Sequence, residues 1–292
     1  MAPLEHLVSM VTVPQRRNQL TVAIPASFTQ DIPHLREKTA RAGFTARSLT
    51  MFRVDRVIIY KDRADPDAER EGMFLEKILR YHETPQYLRK YLFKKDPDLQ
   101  YTGILPPLRA PHHPNIEAAA FGQLREGIVN ESGPTSTVNA GYDQLVHVNA
   151  RLVPGKRLTI RITRVSPRVE AEIVDRSELT IYWGPRFSRE NRTLGQVVKG
   201  GEHDLTISTS RRGTDIRHVM SQLQQQWKLA NRTILLFGSP REGVPDILAR
   251  ERIKVSELSY NVNSIPQQAV ETVRTEEAIH ATLAILNTLG EV

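Results

Sequence analysis

Asp204-Leu205-Thr206-Ile207-Ser208, running into Thr209-Ser210-Arg211-Arg212-Gly213-Thr214-Asp215, reads as a short apolar strand that ends in a polar loop. The juxtaposition recurs twice. Thr233 to Phe237 (TILLF) is a continuous buried-type run followed by Gly238-Ser239-Pro240-Arg241-Glu242-Gly243, and the weaker run Leu258 to Val262 leads into Asn263-Ser264-Ile265-Pro266-Gln267-Gln268. Open α/β sheets bind small molecules outside the carboxyl ends of their strands, so three such loops predict one convergent pocket. Between the first two runs, Ile216, Val219, Met220, Leu223 and Trp227 fall at helical spacing over Ile216 to Leu229. After the third, Thr275 is placed to cap a helix reaching about Leu289. Its first turn carries Glu276 and Glu277, and its apolar face Ile279, Leu283, Ile285 and Leu286. Strands alternating with helices predict a parallel sheet.

Working backwards, Asn18 to Pro25 and Val54 to Tyr60 read as two further strands, and Asp67 to Tyr81 as an amphipathic helix with Met73, Phe74, Ile78 and Leu79 on its apolar side. The proline-rich stretch Leu105 to Pro114 breaks regular structure and marks a boundary. Beyond it the pattern changes to short alternating strands: Glu126 to Asn130, Thr135 to Asn139, Gln144 to Asn149, Arg157 to Arg164 and Arg168 to Val174. Turns such as Glu131-Ser132-Gly133-Pro134 and Pro154-Gly155-Lys156 separate them, which fits a small five-stranded, OB-like barrel. Tyr182-Trp183-Gly184 then returns the chain to the parallel sheet. The expected division is an N-terminal extension at 1–17, the first half of an α/β domain at 18–115, the insert at 116–177, and the second half at 178–292.

The chain has 292 residues, enough for one large or two ordinary domains with a substantial core. Its 40 Lys and Arg against 33 Asp and Glu give a net charge of +7, which suits a polyanionic partner. In the insert, Arg151, Lys156, Arg157, Arg161, Arg164 and Arg168 fall together with no acid between them. Strand alternation puts Arg157 and Arg161 on one side, so Arg157, Arg161 and Arg164 are candidate RNA contacts through the phosphate backbone; a solvated barrel face is the other reading. Aromatic residues for base stacking are limited there to Phe121 and Tyr142. The absence of cysteine excludes disulfides and thiolate chemistry. No apolar stretch has membrane length and Met1 is not followed by a signal sequence, so a cytosolic or nuclear location is expected.

Common nucleotide signatures are missing. No G-x-G-x-x-G occurs, and Gly195 to Gly201 lacks the Lys-Ser/Thr that a phosphate-binding loop requires. His112 and His113, adjacent and set between prolines, have neither cysteine partners nor helical i, i+4 geometry; they read as a rigid interdomain turn, with no metal. Glu276 and Glu277 are placed to stabilise a helix dipole more than to act as a general base.

Tyr182-Trp183-Gly184, the Thr-Ser-x-Arg-Gly-x-Asp run at 209–215, Phe237-Gly238, and the series from Asn263 to Ala278 resemble the knotted SPOUT class of S-adenosylmethionine-dependent RNA methyltransferases. Within it, the chain is most similar to RNA uridine-N3 methyltransferases with an OB-like insert. Thr84-Pro85-Gln86-Tyr87-Leu88-Arg89-Lys90 and the block from Gly103 to Pro114 extend the resemblance from about residue 18 to the end.

The resemblance implies a parallel-sheet domain with a C-terminal trefoil knot, S-adenosylmethionine as cofactor, and a homodimer whose active site spans two protomers. It implies ribosomal RNA as partner, with N3 of a large-subunit uridine as target. A related methyltransferase acting on another RNA base or a protein arginine, and an RNA-binding protein without turnover, are the competing readings. It also marks Gly238, Arg212, Asn263 and Ser264 as cofactor-binding residues, Arg212 standing where the family has an Arg before Gly. No residue stands out as proton acceptor. Gln267 occupies a place where relatives have Gly, which puts the adenine-side loop in question. Ala269 and Glu271 sit nearer the archaeal branch, which favours a cytoplasmic location; a eukaryotic source would imply nucleus or nucleolus.

Overall fold

β1 (Gln19–Pro25), α1 (Leu35–Met51), β2 (Arg56–Lys61), α2 (Pro66–Glu83) and α3 (Gln86–Leu92) open the computed structural model, which describes residues 12–115 and 118–289. β3 (Leu124–Glu131), β4 (Ser136–Asn139), β5 (Val146–Val148), β6 (Arg157–Arg164) and β7 (Glu170–Val174) follow. β8 (Arg186–Thr193), α4 (Leu194–Lys199), β9 (Leu205–Asp215), α5 (Ile216–Leu229), β10 (Arg232–Leu236), α6 (Val244–Arg250), β11 (Tyr260–Asn263) and α7 (Thr275–Asn287) complete the chain. Glu83–Pro97 and Pro107–Gly184, with described residues up to Gln15, make one compact unit; Arg16–His82, Asp98–Pro106 and the residues from Pro185 onward make the other.

The second unit is a six-stranded sheet in the order β11-β9-β10-β1-β2-β8, parallel at every pairing. Its strands β1, β2 and β10 are apolar on both faces because helices cover both. Leu20, Val22, Ile24, Val57, Ile59 and Leu235 face one layer with Leu49 of α1, Leu75 and Ile78 of α2, Leu223 of α5 and Leu283 of α7. Ala23, Ile58, Tyr60, Ile234 and Leu236 face the other with Leu194 and Val197 of α4 and Ile247 and Leu248 of α6. The period-2 alternation thus feeds two cores at once.

The first unit holds the insert as a closed barrel, order β3-β4-β5-β7-β6, with Val129, Val138, Val146, Ile160 and Ile162 inside. β5 and β7 pair in parallel and the other ladders are antiparallel.

Three local expectations change. The run Thr209 to Asp215 is strand to its end: β9 continues and pairs a second time with β11 past an irregularity, through Val262↔Thr214 and Asn263↔Asp215. Gly213 makes this possible, since a Cβ there would lie 2.5 Å from the Val262 carbonyl carbon. Tyr182-Trp183-Gly184 does not join the parallel sheet; Arg186–Thr193 does, at its edge beside β2. Thr275 does not cap α7, because its hydroxyl donates to the Gly238 carbonyl at 3.2 Å and Arg274 is the cap residue.

Arg157 lies in a buried ion cluster of the barrel unit. Its guanidinium donates to both Glu83 oxygens (2.8 and 2.9 Å) and to Glu126 Oε2 (2.7 Å). Glu126 Oε1 also accepts from Thr159 Oγ1 and Trp183 Nε1, each at 2.6 Å. Burial pushes the Glu126 carboxyl up, but Arg157, Arg176 and these two donors outweigh it and hold it below the ordinary value. His112 is fully buried and faces the unit's interior, with its ring 4.4 Å from that of His113. Burial pushes His113 down to about 4, against the bond its Nε2 makes with the Glu83 carbonyl at 2.6 Å.

These shifts predict acid lability. His113 is neutral in the fold and protonated in the unfolded chain between pH 6.5 and about 4, so the unfolded state binds more protons there and stability falls as pH drops, by on the order of 3 kcal/mol. Glu126 acts in the same direction at lower pH, since its contribution is present above its unfolded value and lost as pH falls through its folded one. With Trp227 replaced by Phe, Trp183 fluorescence reports unfolding of this unit alone. Its urea midpoint is expected to fall between pH 6.5 and 4.5, and a flat midpoint would refute the assignment.

Candidate active site

At the carboxyl end of the parallel sheet, β9, β10 and β11 release their chains side by side. The last part of β9, the segment after β10 and the end of β11 with the residues beyond it enclose a pocket of about 350 Å³, within the size range of small-molecule sites. Thr209 to Arg212 supply one wall, Phe237 to Gly243 a second, and Asn263 to Ile265 with Gln268, Thr275 and Ala278 a third. All four cofactor positions read from the sequence, Arg212, Gly238, Asn263 and Ser264, line it.

Their individual contributions differ. Asn263 shapes the wall: its Nδ2 donates to the Arg211 carbonyl at 3.0 Å and its Oδ1 accepts from Ile265 N at 3.0 Å, an Asx turn. Ser264 is buried, with its hydroxyl 2.8 Å from that of Thr282, so its side chain ties the loop to α7. Gly238 permits a close approach of the chain to itself: a Cβ would sit 2.6 Å from the Glu242 carbonyl oxygen and 2.9 Å from Gly243 Cα. The turn it enables is closed by Ser239 N donating to the Glu242 carbonyl at 2.8 Å.

Arg212 is exposed, and its guanidinium has no partner among the described residues. Its neighbours are committed: Arg211 donates to the Glu271 carbonyl at 2.7 Å, and Arg217 chelates Asp215, holding that carboxyl down to about 2. Arg241 on the opposite wall is a second exposed cation of the pocket that the sequence reading did not single out. Gln267 has φ 59°, the left-handed region. A side chain there costs roughly 1–2 kcal/mol.

Glu276 does not line the pocket. It is buried against Arg41, whose Nε lies 3.0 Å from Oε1, and burial pushes its carboxyl up against that charge.

On the barrel, the register irregularity between Ile162 and Arg164 turns both Arg161 and Arg164 toward acids of β7. Arg161 pairs with Glu172 at 3.0 Å, and Arg164 and Arg168 share Glu170 at 3.3 and 2.8 Å. The acid-free stretch of sequence therefore meets its counter-charges across the ladder. Arg161 and Arg164 remain exposed, whereas Arg157 points into the ion cluster, so the three are not brought together on one surface.

The family described as "putative RNA methyltransferase" matches residues 19–286. The chain belongs to this family of RNA methyltransferases. An uncharacterized protein of Halobacterium salinarum is 32% identical over 286 residues, covering 91% of this chain and 98% of its own. The 28S rRNA (uridine-N(3))-methyltransferases of Mus musculus and Homo sapiens are each 31% identical, covering 93% and 91% of this chain and 78% and 77% of theirs. A methyltransferase requires a methyl donor. Among the described residues no helix is long and apolar enough to cross a membrane.

Proposed function

We propose that the chain is an S-adenosylmethionine-dependent SPOUT methyltransferase that modifies N3 of a uridine in large-subunit ribosomal RNA, in the cytoplasm. The convergence of three strand-end segments on one pocket supports this reading, together with the mouse and human relatives named for that reaction. The lining suits a ligand with an aromatic base and charged ends: Phe237, Ile265 and Ala278 are apolar, and Arg212, Glu242 and Asp246 are charged. S-adenosylmethionine supplies an activated methyl group on a sulfonium, so the protein's task is to align the accepting nitrogen with it and exclude water. Gly238, Asn263 and Ser264 shape the walls that would hold it, and Arg212 stands free at the rim for an anionic group of the cofactor or the RNA. N3 is hidden in a base pair, so the target uridine is unpaired or flipped.

A trefoil knot formed by the segments after β10 and β11 belongs to the same reading, as does a homodimer. Phe44 and Met51 of α1 are 44% and 54% exposed beside the partly exposed Ala281, Ala284 and Ile285 of α7, and the two helices meet through the Ser48 hydroxyl and His280 Nδ1 at 2.8 Å. A second copy would cover this apolar stripe. Phe44→Lys with Met51→Lys is expected to give monomers in sedimentation equilibrium, and an active parent that is itself monomeric at assay concentration would count against the dimer.

Arg161 and Arg164 are the barrel positions proposed to meet RNA phosphates. Changing both to Gln, with Arg157 intact, is expected to lower the logarithmic salt slope of RNA binding by roughly 0.7–0.9 per lost contact. An unchanged slope leaves them as a solvated, ion-paired face.

The function itself is tested with the purified protein, isotope-labelled S-adenosylmethionine and ribosomal RNA from cells lacking the gene, followed by nucleoside mass spectrometry. Label in 3-methyluridine is expected. Label in another nucleoside, or in protein arginine, would reassign the target, and cofactor binding without transfer would leave an RNA-binding protein.

A further inference from the structure

Three successive carbonyls at the exit of β10 each accept a hydrogen bond from a side-chain hydroxyl, and the three hydroxyls come from remote parts of the chain. Thr209 Oγ1 donates to the Leu236 carbonyl at 3.2 Å, Tyr60 Oη to the Phe237 carbonyl at 2.8 Å, and Thr275 Oγ1 to the Gly238 carbonyl at 3.2 Å. Thr209 and Thr275 line the pocket; Tyr60 lies in the layer under α4 and α6 and is fully buried. The strand end is therefore braced from both sides at the point where it becomes the pocket wall. Burial pushes the Tyr60 phenol well above its ordinary value, with Asp62 and Glu251 adding to the effect, so the hydroxyl remains a donor at every working pH.

The bracing answers a local need. Strand exits lose their ladder partners, and peptide planes there rotate unless something else satisfies them. Gly238 makes this exit softer still, because glycine has the widest choice of backbone angles. The neighbouring turn holds itself through Ser239 Oγ, which accepts from Glu242 N at 3.0 Å, but among the described residues no hydrogen bond from residues 239–243 holds the carbonyls of residues 236–238.

We propose that Tyr60, Thr209 and Thr275 are positioning residues that fix the peptide planes of residues 236–238 in the orientation the methyl donor binds. The inference rests on the cofactor reading above for the identity of the ligand, and on the geometry alone for the brace. Tyr60 is its least expected member. It comes from the first half of the chain, 177 residues before its acceptor.

The test uses the full-length protein and three variants: Tyr60→Phe, which keeps the ring, Thr275→Val, which keeps the shape, and Thr275→Ser, which keeps the hydroxyl. Amide exchange of the ligand-free protein is read over residues 236–243, and S-adenosylmethionine affinity by calorimetry. Tyr60→Phe and Thr275→Val are expected to speed exchange in that segment selectively and to weaken affinity roughly 3- to 10-fold each, with Thr275→Ser close to the parent. Unchanged exchange in Tyr60→Phe, acceleration spread over the whole sheet, or a Thr275→Ser loss equal to that of Thr275→Val would overturn the proposal. A parent protein that does not bind S-adenosylmethionine would sink the cofactor reading, while the exchange comparison would still decide the brace.

Discussion

Gly238→Val is expected to abolish measurable binding of S-adenosylmethionine, a loss of about 100-fold or more, in a chain that keeps its sheet. The physical cause is the turn and not direct occlusion of the ligand. An added Cβ meets the Glu242 carbonyl oxygen at 2.6 Å and Gly243 Cα at 2.9 Å, and these are backbone atoms with no rotamer to escape into. The wall from Phe237 to Gly243 must open, carrying Ser239 and Arg241 with it. A 100-fold loss is about 2.7 kcal/mol of binding energy. Local overpacking of about 1–3 kcal/mol remains small beside the roughly 5–15 kcal/mol that keeps a domain folded. Calorimetry alongside circular dichroism separates the two effects, and parent-like affinity in a folded variant would remove Gly238 from the site.

Arg157→Leu is expected to cost the barrel unit about 3–5 kcal/mol, because it strands Glu83 and Glu126 in the interior with their principal counter-charge gone. Both carboxylates are at most 6% exposed on their side chains. Arg161→Gln is the control. Its ion pair with Glu172 lies at the surface, where such pairs are worth about 0–1 kcal/mol. Urea unfolding followed by Trp183 should therefore separate two arginines that sit four residues apart on one strand, and equal midpoints would show that the cluster contributes little.

That contrast shows where the sequence could be read and where it could not. Strand alternation locates β6 to the residue, yet it cannot say that Glu126 and Glu83 wait on the inner side of Arg157, or that Glu170 and Glu172 wait across the ladder from Arg164 and Arg161. Counter-charges brought in by tertiary pairing leave no mark in the run itself. Apolar periodicity marked α5 and β10 clearly because Leu223, Trp227 and Leu235 are large. It missed α1, whose buried face is built from Thr39, Ala42, Gly43, Thr45 and Ala46 with Leu49 its single large aliphatic residue.

At the pocket, Arg212, Gly238, Asn263 and Ser264 were all legible as neighbours. Their division of labour was not, since Asn263 and Ser264 spend their side chains on the wall. The polar run after Ser208 looked like a loop because strand propensity says little about an edge ladder completed by a strand some fifty residues later. Tyr60 was legible only as the end of a strand.

The strand order has a consequence for how the chain is made. β1 pairs with β10 through Gln19↔Arg232, so β1, once it leaves the ribosome, waits for a neighbour 213 residues downstream. At synthesis rates of about 5–20 residues per second, that wait is on the order of 10–40 s. During it, Val22, Ile24, Val57 and Ile59 can cover only one side of a two-strand ribbon, while the barrel strands, all between residues 124 and 174, can pair as soon as they emerge. The nascent chain thus carries a finished β-barrel beside an unfinished sheet, and that half-made sheet is the species a holding chaperone would meet.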